Sequence, residues 1–125
     1  MAKKGKSTRK RAQTPFGNGV RLGIDLGGTK ILAGVVDDQG RILGSAKRKT
    51  RAERDVDDVI ARVVKTAQDA VSDARLDLRA ISAVGIGAPG VANSRTGVIE
   101  FAPNLTDWVG VPLGARLEKA FGVPV

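Results

Sequence analysis

The stretch GIDLGGTKILAG at residues 23–34 places a glycine-rich turn between two apolar runs. The runs, VRLGIDL (20–26) and KILAGVVD (30–37), are short and rich in branched residues, which is typical of buried strands. Because the link GGT (27–29) is too short for a crossover connection, the two strands are predicted to run antiparallel. The turn itself has two open interpretations: it binds a phosphate group, or it only closes a hairpin.

A third strand extends this antiparallel unit. The turn DDQG (37–40) has aspartates that tolerate tight bends and a glycine that supplies a positive φ. The segment RILGSAKRKT (41–50) then begins apolar and ends polar, as an outer strand does. Residues 20–50 are therefore predicted to form a three-stranded antiparallel meander.

The rest of the sequence alternates helices with strands. Asp55 is the predicted N-cap of a helix, whose apolar residues recur at helical spacing over 56–71. That helix can serve as a crossover, so AISAVGIGAPG (80–90) is predicted as a fourth strand, parallel to a neighbour and ending in a Gly/Pro loop. The remaining predicted segments are a short extended piece with a loop in GVIEFAPNLTDW (97–108), a short helix in VPLGARLEKAF (111–121) and the start of a fifth strand in GVPV (122–125).

The turn at 27–29 has the residues to bind an anion without a helix. It matches neither the P-loop pattern nor the dinucleotide-binding pattern, and a strand follows it. Successive backbone N–H groups in a glycine turn can form a concave nest for an anion, and Gly27 and Gly28 let phosphate oxygens approach the backbone. Thr29 adds a hydroxyl and Lys30 a positive charge, while Asp25 could orient water on a magnesium ion.

Composition excludes several classes of site and location. The sequence has no cysteine and no histidine, which removes disulfides, thiolate chemistry, the commonest metal ligand and the commonest general base. No apolar run reaches the roughly 18 residues of a membrane span, and no apolar stretch follows the basic N-terminus as it does in a secretory signal. We therefore expect a cytoplasmic protein with no membrane partner.

The net charge of +8 is concentrated in residues 1–20. This segment holds six Lys/Arg and no acidic residue, whereas residues 21–125 carry 15 basic and 13 acidic side chains. It is polar and aperiodic, so it is predicted to be a flexible tail. The tail either makes weak electrostatic contact with a polyanion or is a solvated leader without a role. Because it is too short for a helix-turn-helix, no specific nucleic-acid binding is expected.

Three motifs occur in the order and spacing of a known family: GIDLGGTKILAGVVD (23–37), VGIGAPGVAN (84–93) and NLTDW (104–108), the last followed by a helix. Through them residues 21–125 resemble the ROK family (repressor, open reading frame, kinase) of bacterial sugar kinases and repressors, and within it the glucokinases. The resemblance implies an α/β fold: an actin-like, ribonuclease-H-like lobe with three antiparallel strands, then helix, strand, helix and the start of a fifth strand. The residues alone predict the same order.

The resemblance also assigns the turn at 27–29 a ligand. Asp25, Gly27, Gly28 and Thr29 match the loop that faces the phosphates and magnesium of ATP in such kinases, and Lys30 follows directly. The implied cofactors of the full-length parent are therefore ATP and Mg²⁺.

A sugar site is implied by the other two motifs. Pro89 and Gly90 match the turn that lines the sugar pocket, and Asn104 matches a residue whose amide bonds sugar hydroxyls, since an amide both donates and accepts. Structural alternatives stay open, because Pro89 and Gly90 can simply end a strand and Asn104 can cap a turn. Asp107 and Trp108 are expected to be structural, with Trp108 as a packing anchor.

The sequence departs from the family beyond these motifs. In such kinases the general base is an aspartate in an Asn-Asp motif on the fifth strand, and the sequence ends at Val125 before it. The family's sugar-binding Glu and His, its zinc site and most of its nucleotide-binding lobe also lie further on, so no catalytic residue and no metal site is expected here. The predicted organisation is a basic tail at 1–20 and an N-terminal lobe at 21–125, without the second lobe.

The resulting hypothesis is the N-terminal part of an ATP-dependent, glucokinase-like hexose kinase that transfers the γ-phosphoryl group of ATP to a sugar hydroxyl. Its partners would be a hexose, glucose first, and ATP, and the parent would be a homo-oligomer. Phosphoryl transfer needs both substrates positioned in one cleft, so this chain by itself is expected to be inactive. Two alternatives stay open: a non-catalytic, sugar-sensing regulator of the same family, and a truncated product without a function of its own.

Overall fold

A four-stranded sheet forms the centre of the structure, a computed structural model that describes residues 19–125. The strands β1 (Val20–Leu26), β2 (Lys30–Val36) and β3 (Ile42–Lys49) are antiparallel neighbours, and β4 (Ile81–Gly87) lies parallel to β1. The order β3-β2-β1-β4 confirms the predicted meander, the outer position of the third strand and the parallel fourth strand. Most of the predicted basic tail, residues 1–18, lies outside the described residues.

The helix α1 (Val56–Asp73) packs on one face of this sheet and supplies the crossover from β3 to β4. Its start is as predicted, because the Asp55 carboxylate accepts a hydrogen bond from the N–H of Asp58 at 2.9 Å. Gly44 lets helix and strand approach closely, since a methyl group there would lie 2.7 Å from the carbonyl oxygen of Ala70. The helix buries one stripe of side chains: Val59, Ile60, Val63, Thr66, Ala67, Ala70 and Val71.

A second sheet, of three short antiparallel strands, follows β4. The strands β5 (Val91–Asn93), β6 (Val98–Phe101) and β7 (Val109–Val111) replace the single extended piece predicted for this region. The β5–β6 turn is held by the side-chain oxygen of Asn93, which accepts hydrogen bonds from two following N–H groups. An asparagine at a strand end with a glycine four residues later is a hairpin signal, so the sequence did contain the information for this pair.

The helix α2 (Leu113–Phe121) forms within the predicted segment and buries Leu113, Leu117 and Phe121 along one face. The predicted packing role of Trp108 is confirmed, because this side chain is 1% exposed. Neither helix within residues 19–125 is long and apolar enough to span a membrane.

Residues 122–125, predicted as the start of a fifth strand, are not a strand in the structure. Gly122 adopts the left-handed conformation that ends α2, and the three residues after it are too few for a ladder. The segment contributes one backbone hydrogen bond to β4, from the N–H of Val84 to the carbonyl oxygen of Pro124 at 2.9 Å. This bond lies on the side of β4 away from β1, which is the side where the fifth strand was expected.

Candidate functional site

The predicted site residues lie around one end of the central sheet. Since β1 and β4 are parallel, their carboxyl ends meet at the same edge, and Asp25 pairs in register with Gly87. The turn at 27–29 follows β1 there, and Pro89 and Gly90 follow β4. In α/β sheets, ligands bind outside the carboxyl ends of the strands.

The conformation of the turn is set by hydrogen bonds to its backbone. The N–H of Gly27 donates to the carbonyl oxygen of Lys30 at 3.0 Å, which closes the hairpin. Thr50, directly after β3, donates its hydroxyl to the carbonyl oxygen of Gly27 at 2.7 Å and its N–H to that of Thr29 at 2.9 Å. Thr50 is fully buried, so the carbonyl oxygens on this side of the turn are tied to the protein interior.

Two consecutive N–H groups of the turn are left over. Within residues 19–125, the backbone N–H groups of Gly28 and Thr29 donate to no other atom, and the Thr29 side chain is exposed. Gly27 offers no donor to a ligand, because its N–H already donates to the carbonyl oxygen of Lys30. It allows the close approach of the two strands, since a methyl group on it would lie 2.9 Å from that oxygen. A pair of free adjacent N–H groups in a glycine turn is the arrangement of an anion-binding nest.

Asn104 lies directly on this turn. A methyl group at Gly28 would be 3.3 Å from the Cβ of Asn104, a tight approach, and 3.9 Å from its Nδ2, so the Asn104 side chain lies next to the turn. The Asn104 side chain is exposed, and its amide has no hydrogen bond to the described part of the chain. The structure thus brings a residue predicted to bind phosphate into contact with one predicted to bind sugar, although 76 positions separate them in the sequence.

Gly90 connects β4 to the same region through its backbone. It has φ 83°, and a methyl group there would overlap the carbonyl oxygen of Phe101 and lie 2.7 Å from the Cα of Ala102. Ala102 is two residues before Asn104. The glycine is therefore required by the packing of the loop after β4, whatever the loop binds.

The two charged residues of the predicted phosphate site, Asp25 and Lys30, lie at the same end of the sheet. Asp25 is exposed on the sheet face away from α1, where it lines an open cavity of about 810 Å³ with Gly23, Gly34 and Gly85. Within residues 19–125 the Asp25 carboxylate makes no hydrogen bond or ion pair. Lys30 is exposed at the start of β2, opposite Lys49 of β3. Both side chains are exposed at this edge and accessible to a ligand.

Thr50 is the residue of this region that the sequence interpretation missed. It was included only as the polar end of the third strand, and a lone threonine there carries no distinguishing pattern. Its role depends on two hydrogen bonds to a turn more than 20 residues away, and only the folded chain shows these.

Residues 21–125 match the family described as the ROK family. This chain belongs to the ROK family. It is 39% identical over 104 residues to a glucokinase of Thermotoga maritima and 41% identical over 107 residues to a glucokinase of Streptomyces coelicolor. These alignments cover 83% and 86% of this chain but 31% of each relative, so the chain spans about a third of the length of the curated relatives it matches.

A solved structure also relates this chain to the ROK glucokinases. The ROK family glucokinase of Streptomyces griseus, determined in complex with glucose and AMPPNP, superposes with a TM-score of 0.74 at 37% identity, over 86% of this chain and 32% of that one. The match confirms the predicted α/β, actin-like, ribonuclease-H-like lobe. A putative xylose repressor of Caldicellulosiruptor is also related, at 29% identity over 107 residues, 86% of this chain and 27% of that protein.

Proposed function

We propose that this chain is the N-terminal lobe of an ATP-dependent hexose kinase of the glucokinase type, residues 21–125, preceded by the basic segment 1–20. The observation that carries the proposal is the contact of Asn104 with Gly28, which sets a free amide beside two free backbone N–H groups. A phosphate group and a sugar hydroxyl bound there would be neighbours, as phosphoryl transfer requires. The glucokinases among its relatives support this assignment.

On the phosphate side, the N–H groups of Gly28 and Thr29 would hold phosphate oxygens of ATP, with the Thr29 hydroxyl and the Lys30 ammonium as further donors. Gly27 would keep the turn narrow. Asp25 fits a magnesium ion that is bound mainly by phosphate oxygens and water, because such a site takes one or two carboxylates from the protein and the Asp25 carboxylate makes no bond within residues 19–125. The bound ion would neutralise negative charge on the phosphates.

On the sugar side, Asn104 would donate to one hydroxyl of the hexose and accept from another. Pro89 and Gly90 would form the wall of the pocket, since Gly90 packs against the backbone that leads to Asn104. Glucose is the hexose we propose, and a cytoplasmic, homo-oligomeric parent belongs to the same proposal.

Residues 21–125 alone should not turn over substrate. They match about a third of the length of the related glucokinases, and phosphoryl transfer needs both substrates positioned in one cleft. The relationship to a putative xylose repressor favours a second candidate, a sugar-binding regulator without catalysis. Both candidates require the sugar site, and only the first requires the phosphate site.

The test compares Asn104→Ala with Gln39→Ala, which removes an exposed amide in the β2–β3 turn, in a protein that carries residues 21–125 together with the second lobe of a ROK glucokinase. Losing a bond to a sugar hydroxyl costs about 1–3 kcal/mol, so Asn104→Ala should raise the KM for glucose about 5- to 150-fold while the KM for ATP and the Gln39→Ala variant stay near wild type. A glucose KM unchanged by Asn104→Ala would refute the sugar site. Glucose binding to this two-lobed protein without any phosphorylation would favour the regulator.

A further inference from the structure

A second pocket rich in cationic side chains lies between the end of β3 and the first half of α1. It has a volume of about 220 Å³ and is lined by Arg48, Arg54, Asp58, Ala61, Arg62 and Lys65. Arg48 belongs to β3, Arg54 to the loop that follows, and the other residues to α1. None of these residues belongs to the predicted phosphate or sugar site.

The carboxylates around this pocket do not balance its positive charge. Asp69 is shared by two cations, with Arg48 at 2.5 Å and Lys65 at 3.5 Å, and Asp58 lies 3.9 Å from Arg54. With Arg51 and Glu53, which also act on Arg62, five cationic side chains are opposed by three carboxylates among the described residues of this region. The structure shows a local excess of positive charge.

Arg62 is the cation of this pocket that makes no ion pair within residues 19–125, although the Glu53 carboxylate lies near enough to favour its charged form. The Nε of Arg62 donates to the carbonyl oxygen of Lys49 at 2.8 Å. Burial, followed by the nearby guanidinium groups of Arg48, Arg51 and Arg54, lowers the pKa of Arg62 below its usual value. The terminal nitrogens of Arg62 remain as donors for an anion.

We propose that this basic pocket, defined by Arg48, Arg54, Arg62 and Lys65, binds a phosphate group. Guanidinium groups present paired N–H donors that match the geometry of phosphate oxygens, and a compact anion would neutralise charges that now repel one another. The pocket is smaller than the roughly 300–1,000 Å³ of a site for a whole organic ligand, so it suits the phosphate group itself.

One hydrogen bond connects the basic pocket to a cavity at the turn at 27–29. That cavity has a volume of about 250 Å³ and is lined by Gly28, Thr29, Lys49, Arg51, Ala52 and Glu53. Arg62, which lines the basic pocket, donates to the carbonyl oxygen of Lys49, which lines this cavity. The phosphate can therefore be free orthophosphate, or one unit of a phosphate chain that also reaches the turn. A phosphate chain that reaches the turn rests on the proposed function, whereas phosphate binding in the basic pocket does not depend on it.

The test is an NMR titration of the ¹⁵N-labelled 125-residue chain with orthophosphate and, separately, with tripolyphosphate. The pocket variant is Arg54→Gln/Lys65→Gln, because both side chains are more than half exposed and held by long ion pairs. The matched control is Arg79→Gln/Lys119→Gln, which removes the same charge from exposed positions elsewhere. A dispersed spectrum shows that each variant folds, and the single variant Arg54→Gln replaces the double one if it does not.

We expect saturable shifts of amides in residues 48–65 with at least one of the two probes. The pocket variant should weaken that binding at least about tenfold and the control less than about twofold. Shifts confined to residues 1–18, absence of saturable shifts, or an equal loss in both variants would overturn the proposal.

The two probes distinguish the source of the phosphate. Shifts of Gly28 and Thr29 with tripolyphosphate but not with orthophosphate support a chain that spans the pocket and the turn. Saturation by orthophosphate, with no tripolyphosphate effect at the turn, supports free phosphate. That second outcome leaves the basic pocket standing while it counts against the phosphate site at 27–29, so the two proposals fail separately.

Discussion

Replacing Thr50 by valine should destabilise the turn at 27–29, although the sequence shows Thr50 only as the polar end of the third strand. Valine has nearly the shape of threonine, so the fully buried site stays filled and no cavity forms. The substitution removes the 2.7 Å bond from the Thr50 hydroxyl to the Gly27 carbonyl oxygen. A lost hydrogen bond with an acceptor left partly buried costs about 1–3 kcal/mol, and that is the expected fall in the free energy of unfolding.

Thr66→Val is the matched control. Thr66 is also fully buried, and its hydroxyl donates at 2.7 Å to the carbonyl oxygen of Arg62, one turn earlier in α1. That carbonyl already has a helical partner, so removing the hydroxyl leaves no unsatisfied group and should cost less than about 0.5 kcal/mol. Thr50→Val thus leaves a carbonyl oxygen of the turn without this donor, whereas Thr66→Val leaves a carbonyl oxygen that keeps its helical hydrogen bond.

Urea unfolding followed by the fluorescence of Trp108 measures both variants. Trp108 is the single tryptophan of the sequence and is 1% exposed, so its emission reports the loss of the core. NMR shifts of the Gly28 and Thr29 amides should change in Thr50→Val and stay unchanged in Thr66→Val. If Thr50→Val loses no more stability than Thr66→Val, the reasoning that Thr50 holds the turn is refuted.

Two further predictions concern the loop after β4 and the outer edge of β4. Gly90→Ala should lower the free energy of unfolding more than Gly40→Ala. The two glycines have similar φ values of 83° and 79°, which cost alanine about 1–2 kcal/mol at either position. Of the two, only Gly90 has other backbone where the methyl group would lie. Equal losses in urea unfolding would mean that the overlap with Phe101 relaxes freely. The uncharged strand β4 should make the 125-residue chain self-associate. On one side β4 pairs with β1, and on the other, within residues 19–125, it makes one backbone hydrogen bond, from the N–H of Val84 to the carbonyl oxygen of Pro124. The amides of Ser82 and Ile86, which alternate with those facing β1, should then exchange more slowly as concentration rises, and exchange independent of concentration together with a strictly monomeric mass by light scattering would contradict this.

The candidate site could be predicted only as separate pieces. The turn at 27–29, the Pro89-Gly90 loop and Asn104 were each selected from the sequence, yet their roles stay predictions. The sequence interpretation gave the turn a row of donors, whereas the hairpin uses the Gly27 N–H and leaves those of the next two residues. The polar end of β3 was interpreted as the mark of an outer strand, which β3 is, but that interpretation did not predict that Arg48 pairs with Asp69 of α1 or that Thr50 is buried.

The sequence by itself determined the elements whose signals are local. Short apolar runs placed β1, β2 and β4, and helical apolar spacing placed α1. The Asp55 cap placed the start of α1, and the DDQG turn placed the β2–β3 connection. The fifth strand failed because an apolar pattern becomes a strand only when a ladder forms along it, and this segment has one bond to β4. Only the tertiary structure decided that Asn104 rests on Gly28, that Thr50 ties the turn and that β3 and α1 enclose a basic pocket. Those contacts join residues far apart in the chain, and which distant segments meet is set by the packing of the whole core rather than by any local pattern.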